Sequence, residues 1–290
     1  MSWSKHYFFW ILILLVLSCN ELTKEQEMGE VVKYKPKLTS LINAKELMHE
    51  MSTKNEVVVI DFRKEEDYNK GHVPKAINIW RTEIESSAYP YKGMMASKQE
   101  IETLFSKLGI KSNDKLVIYD DRGSCDAARL WWVLSNYGFY DAQLLNGGLQ
   151  SWKKTSGTIS LNNYTIKPSS FKFQNKSDMD LYIGREELLN ASTNQNNLLI
   201  LDTRSTDEFS GKRRKNGAKK AGRIKNSLLI DWSNAINHNG DMEFKGVENL
   251  ETTYGKFLGS KNDTIITYCH TGVRSAHTTF VLSELWDIKT

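Results

Sequence analysis

The apolar residues of this chain fall into short unbroken runs set between helical patterns. Val57–Ile60 and Leu116–Tyr119 are four-residue apolar runs without alternation. That is the signature of parallel strands covered on both faces. Between and after such runs the apolar positions recur at helical spacing. The first half shows this at Ala44–Met51, Lys98–Leu108 and Ala127–Tyr137, the second at Arg185–Asn190 and Ala276–Leu285. Strands alternating with helices predict an α/β fold, a doubly wound parallel sheet with its sites at the carboxyl ends of the strands.

The pattern occurs twice. Val57-Val-Val-Ile-Asp61-Phe-Arg63 has a counterpart in Leu198-Leu-Ile-Leu-Asp202-Thr-Arg204, each an apolar run closing on Asp-x-Arg. Acidic stretches follow, Glu66-Asp-Tyr68 and Asp207-Glu-Phe209. Gly71–Ile79 then answers to Gly222–Ile230, and Leu116–Asp120 to Ile265–Cys269. A basic insertion between Ser210 and Gly222 widens the second copy. Two copies of one supersecondary unit imply two tandem domains, which 290 residues can accommodate.

The N-terminal end is of another kind. Tyr7 to Leu17 is an unbroken apolar or aromatic run behind a single Lys5. It is too short for a spanning helix, which needs about 20 residues, and reads as the apolar core of an export signal. The run ends in Val16-Leu17-Ser18-Cys19, which resembles a bacterial lipobox with Cys19 as the lipidated residue. The expected organisation is a signal over 1–19, a polar tether over 20–35, domain 1 over 36–155, a linker over 156–180 rich in Ser, Asn, Thr and Lys, and domain 2 over 181–290. The protein is then expected to be exported and lipid-anchored on the extracytoplasmic face of a bacterial membrane.

Composition adds limits. Hydrophobic residues make up 40% and charged residues 26%, as in ordinary globular protein, and a net charge of +4 is too small to imply a nucleic-acid partner. Besides Cys19 only Cys125 and Cys269 remain. With no Cys-x-x-Cys pair, and with His270 and His277 badly spaced for one helical face, neither a metal site nor a cofactor is implied. The run Lys212-Arg-Arg-Lys215, with Lys219, Lys220, Arg223 and Lys225, reads first as a solvated loop. Near a site it would also attract small anions, and on a tethered protein anionic lipid head groups.

The informative string is Tyr268-Cys269-His270-Thr271-Gly272-Val273-Arg274-Ser275-Ala276-His277. It begins where a buried strand stops and runs into a helical pattern. Backbone N–H groups at a helix N-terminus favour anions. That field, with Arg274, is expected to lower the thiol pKa of Cys269. Gly272 lets the loop curl. A thiolate so placed can carry a sulfane sulfur as a persulfide. Cys125 lies five positions beyond the equivalent place in the first copy and reads as incidental, while Asp61 and Arg63 read as structural.

At these residues the chain resembles the rhodanese superfamily. Cys269-His-Thr-Gly-Val-Arg274-Ser is similar to the active loop of tandem bacterial thiosulfate sulfurtransferases. Asp202-Thr-Arg204 resembles the motif whose arginine faces that loop, with a structural ion pair as the other reading of Arg204. Tyr119-Asp120 and Asn146-Gly-Gly-Leu-Gln-Ser-Trp152 are similar to the family's non-catalytic first domain, where an Asp replaces the cysteine. The resemblance covers residues 36–290. It implies two rhodanese-like domains, catalysis by Cys269, and donor binding by Arg204, Arg274, His270, Thr271, Gly272 and Val273. The expected partners are a small anionic sulfur donor and a thiol or cyanide acceptor. Two departures stand out. Gly222-Arg223 occupies the place of Gly71-His72, and the second copy stops at Asp287-Ile-Lys-Thr290 without a counterpart of the last strand.

The leading function is transfer of sulfane sulfur from thiosulfate through a Cys269 persulfide. A 3-mercaptopyruvate sulfurtransferase and a non-catalytic sulfur-sensing lipoprotein are the alternatives. Phosphatase chemistry is disfavoured, because the Cys269–Arg274 loop is one residue shorter than the phosphate-binding loops of related folds.

Overall fold

A computed structural model describes residues 40–53, 57–176, 181–194, 198–257 and 264–286. The run Tyr7–Leu17, Cys19 and the tether 20–35 lie outside the described residues. Among the described residues no helix is long and apolar enough to cross a membrane.

The first copy runs β1 (Leu41–Ile42), α1 (Ala44–Thr53), β2 (Val57–Asp61), α2 (Glu65–Tyr68), β3 (Ile77–Asn78), α3 (Lys98–Lys107), β4 (Lys115–Tyr119), α4 (Ala127–Asn136), β5 (Ala142–Leu145) and α5 (Gly148–Lys154). Its sheet has the order β1-β5-β4-β2-β3, with every neighbour parallel. Strands β2 and β4 pair from Val57↔Lys115 to Asp61↔Tyr119, so their carboxyl ends reach one edge together. Helix α3 starts where its sequence says it must. The Ser97 hydroxyl accepts from the Glu100 amide while the Glu100 carboxylate accepts from the Ser97 amide, a reciprocal cap.

The second copy runs α6 (Arg185–Asn194), β6 (Leu198–Asp202), α7 (Thr206–Ser210), β7 (Leu228–Leu229), α8 (Val247–Tyr254), β8 (Thr264–Tyr268) and α9 (Val273–Phe280), continued by a π turn over Val281–Leu285. Its sheet is three-stranded and parallel, in the order β7-β6-β8. Where β4 lies between β2 and β5, β8 pairs only with β6 among the described residues. Among the described residues the second sheet thus has no counterpart of β1 or β5. Helix α9 starts at Val273, earlier than the apolar pattern suggested, because Gly272 (φ 77°) makes the turn and the helix begins directly after it.

One apolar core runs through both copies. Helix α4 is buried along its whole length because it packs against α9 as well as its own sheet, and Trp131 meets Phe280 edge to face at 4.9 Å. A second cluster, including Leu47, Val59, Val117 and Trp152, covers the other face of the first sheet.

The described part of the segment expected as a linker is packed on domain 1. Phe171 and Phe173 are buried, with Phe171 against Phe105 at 5.0 Å. The amides of Ser169 and Phe171 donate to the Ser106 carbonyl and hydroxyl, and Ser160 exchanges two backbone hydrogen bonds with His72. Two phenylalanines two residues apart are enough to strap this otherwise polar stretch onto domain 1.

Candidate active site

Both Asp-x-Arg motifs make the same strut. Arg63 grips Asp61 through Nε and Nη2 (2.8 and 2.6 Å) and donates to the Gly71 carbonyl. Arg204 grips Asp202 at 2.9 and 2.6 Å and donates to the Gly222 carbonyl at 2.8 Å. In each copy the tyrosine ending the neighbouring strand, Tyr119 or Tyr268, donates its hydroxyl to the same aspartate. The expectation that Arg204 faces the donor is corrected here. Its fork is committed to its own strand end and to the loop at Gly222, which is the structural ion pair. The departure at Arg223 also resolves: its guanidinium lies 4.4 Å over the Phe209 ring, in the place where His72 stacks on Tyr68 at 3.7 Å.

The loop of the first copy shows what this turn does with an anion. The Asp120 carboxylate accepts from the amides of Arg122, Ser124, Asp126 and Ala127 at 2.7–2.9 Å. Burial and the Asp126 charge push its pKa up to about 6 against the pull of those amides. The first domain therefore fills this anion cradle with its own carboxylate.

The second copy has the same loop length, with Gly272 and Ala276 at the places of Gly123 and Ala127. Cys269 stands where Asp120 does, partly exposed at the end of β8. Its sulfur lies 3.6 Å from the Ser275 hydroxyl. Burial pushes the thiol up, but the Ser275 amide and hydroxyl, the Arg274 charge and the Thr271 amide outweigh it, so its pKa ends below the ordinary thiol value. The direction is the one expected from the sequence, although the contribution of Ser275, next in the string after Arg274, is not.

Arg274 is placed differently from expectation. Its two terminal nitrogens donate to the two oxygens of Glu208, at 2.7 and 3.0 Å. The ion pair holds the Glu208 carboxyl down to about 2. Arg274 thus lends its charge to Cys269 but spends its fork on Glu208, and donor binding through that fork is corrected to an ion pair that props the loop. Glu208 is buried on α7, and its second oxygen also accepts from Arg213 in the basic insertion. In the sequence it was only one residue of an acidic stretch. A lone glutamate aligned with nothing in the loop gives no signal of its partner.

His270 is exposed, and its Nε2 lies 3.1 Å from the Asn216 carbonyl, so the basic insertion is brought against the catalytic loop. Thr271 packs on domain 1, where a Cβ on Gly93 would come within 2.8 Å of its side chain. Val273 turns its side chain into the core, which leaves its backbone amide as the group it could offer the donor. Thr271, Gly272 and Ser275 line a cavity of about 240 Å³ with His270, Lys92 and Arg129, so the first domain forms part of its wall. His277 is buried against Phe244 and donates through Nε2 to the Gly123 carbonyl, tying α9 to the inert loop. Burial pulls its pKa down to about 4. Cys125 is buried and its pKa is raised by that burial, which fits an unreactive thiol.

Comparison with known proteins agrees with this architecture. The model of the rhodanese-like domain matches residues 43–155 and again 185–287. A protein of Saccharopolyspora erythraea named "Putative thiosulfate sulfurtransferase" is 32% identical over 226 residues, covering 75% of this chain and 77% of that one. A Mycobacterium tuberculosis relative of the same name, SseA, is 31% identical over 225 residues, covering 75% and 72%. Among solved structures, the 3-mercaptopyruvate sulfotransferase SseA of Escherichia coli superposes with a TM-score of 0.75 at 23% identity, covering 86% of this chain and 95% of that one. The anaerobic ergothioneine biosynthesis enzyme of Chlorobium limicola gives 0.73 at 20% identity, over 84% and 64%. At those identities the two structures speak for the fold alone. The chain belongs to the rhodanese-like domain family, with two copies of the domain in tandem.

Proposed function

We propose that this rhodanese-family chain is a sulfurtransferase that takes sulfane sulfur from thiosulfate onto Cys269 and passes it to cyanide or a thiol. The observation that carries the reading is the pair of equivalent loops. One holds a buried carboxylate with four amides; the other offers the same turn to a cysteine whose pKa lies below the ordinary value.

The chemistry follows from that placement. The Cys269 thiolate attacks the outer sulfur of thiosulfate, the S–S bond of the donor breaks, and sulfite leaves with the bonding pair. The enzyme is left with an anionic persulfide, which the amides of Thr271 and Ser275 and the charge of Arg274 stabilise. Cyanide then attacks the terminal sulfur, thiocyanate departs, and the thiolate is restored. Basic residues 212–215, next to His270 through Asn216, raise the local concentration of the anionic donor. At the other end of the chain, Cys19 is proposed as the lipid attachment point on the extracytoplasmic face. Cys19→Ala should release the protein from the membrane fraction or leave its signal uncleaved.

Intact-mass measurement tests the reaction. Thiosulfate should add one sulfur that dithiothreitol removes, on wild type and not on Cys269→Ser. Addition from 3-mercaptopyruvate but not from thiosulfate would overturn the choice of donor. Addition from neither would leave a binding module.

A further inference from the structure

The arginines of the catalytic half are neutralised where they stand. Arg204 is held by Asp202 and Arg274 by Glu208, each through two hydrogen bonds. Each carboxylate tempers the charge its arginine offers the loop, yet the loop has to hold first a thiolate, then a persulfide. A further positive charge would complete the balance.

It is available from the inert copy. Arg129 projects from α4, is only 6% exposed, and has no carboxylate partner among the described residues. Its Nη2 donates to the Gly93 carbonyl at 2.8 Å, and its guanidinium carbon lies 4.5 Å from the centroid of the Trp132 ring. Its Nη1 presses on the turn of the catalytic loop, where a Cβ on Gly272 would come within 2.7 Å of it. Gly93, the residue that holds it, packs directly on Thr271. Arg129 also lines the cavity shared by His270, Thr271, Gly272 and Ser275. A guanidinium buried without a counter-ion is costly. Burial pulls its pKa down to about 10, opposed first by Cys269 and then by Glu85 and Tyr137, with Arg81 acting in the direction of burial.

We propose that Arg129 of the catalytically inert domain is the buried counter-charge for the anionic sulfur on Cys269, so that the first copy completes the active site of the second. The inference rests on the reading that Cys269 works as a thiolate and persulfide. It gives the inert domain an electrostatic duty in addition to its packing. It also accounts for a cation kept in an interface where an apolar side chain would pack at lower cost.

The test is the pH dependence of Cys269 alkylation by iodoacetamide, followed by mass spectrometry of the peptide that carries it. Iodoacetamide is neutral, so the rate reports thiolate and not attraction of the reagent. Arg129→Met should move the titration up by about one pH unit, the scale of one charge acting across a few side chains in a partly screened interior. Arg129→Gln, which can still donate to Gly93, should move it equally. Arg129→Lys should restore most of the wild-type midpoint. An unmoved midpoint in a folded neutral variant overturns the proposal, as does a lysine variant that titrates like methionine. If only the lysine variant folds, the charge serves the fold and not the thiolate, and the proposal fails. Absence of persulfide in wild type would instead defeat the sulfurtransfer reading and leave the titration result standing.

Discussion

Glu208→Gln separates two effects that the active loop combines. The Glu208 carboxylate is closed off from solvent and shared between Arg274 and Arg213, and it titrates at about 2 instead of 4.5. A difference of that size corresponds to about 3 kcal/mol at neutral pH. Arg213 is 53% exposed, so solvent screens part of the interaction. A loss of about 1–2 kcal/mol is therefore expected at pH 7. A carboxylate held below its unfolded pKa stabilises the fold above that value, and the contribution fades as pH falls from about 4.5 towards about 2. The stability gap between wild type and variant should accordingly close in acid. Meanwhile Arg274 loses its neutralising partner, so Cys269 should become more acidic, by up to about one pH unit. Denaturant unfolding at pH 7 and pH 3 measures the first effect and alkylation rates of Cys269 the second. Equal stability at pH 7, or a Cys269 titration that moves upward, would refute the assignment of Glu208 as the partner that tempers Arg274.

Cys269→Ser should abolish sulfur transfer while Cys125→Ser leaves it nearly intact, measured as thiocyanate formed from thiosulfate and cyanide; equal losses would mean the inert copy is misassigned. Gly272→Ala places a Cβ at φ 77° and against Arg129, which should cost about 1–2 kcal/mol in thermal unfolding and slow persulfide formation. His277 is held neutral with a pKa near 4, so wild-type stability should fall as pH drops from about 6.5 to about 4. His277→Gln should flatten that part of the profile, and an unchanged slope would place the acid sensitivity elsewhere.

The repeat, the parallel strands and the strand-to-helix turn that holds Cys269 were legible because each is written locally. Val57–Ile60 and Leu198–Leu201 carry their burial in their own composition, and Cys269 carries its chemistry in the turn around it. The partners of that turn were not legible. Glu208 meets Arg274 across 66 residues of chain, and Arg129 reaches Gly272 from the other domain. Neither contact leaves a periodic or spacing signal. The packing of the linker 156–180 on domain 1 was not legible for a related reason, since Phe171 and Phe173 in a polar stretch give no sign of the core they enter. Arg204 was misread because the same Asp-x-Arg pattern serves a site-facing and a structural role equally well, and only the position of the Gly222 carbonyl decides between them.

The strand that delivers the nucleophile also ends the second sheet. Residues Thr264-Ile-Ile-Thr-Tyr268 are all β-branched or aromatic and none is charged. Among the described residues nothing pairs with their outer edge. A strand of that composition, paired on one side, is a place where one further strand, from this chain or another, would add.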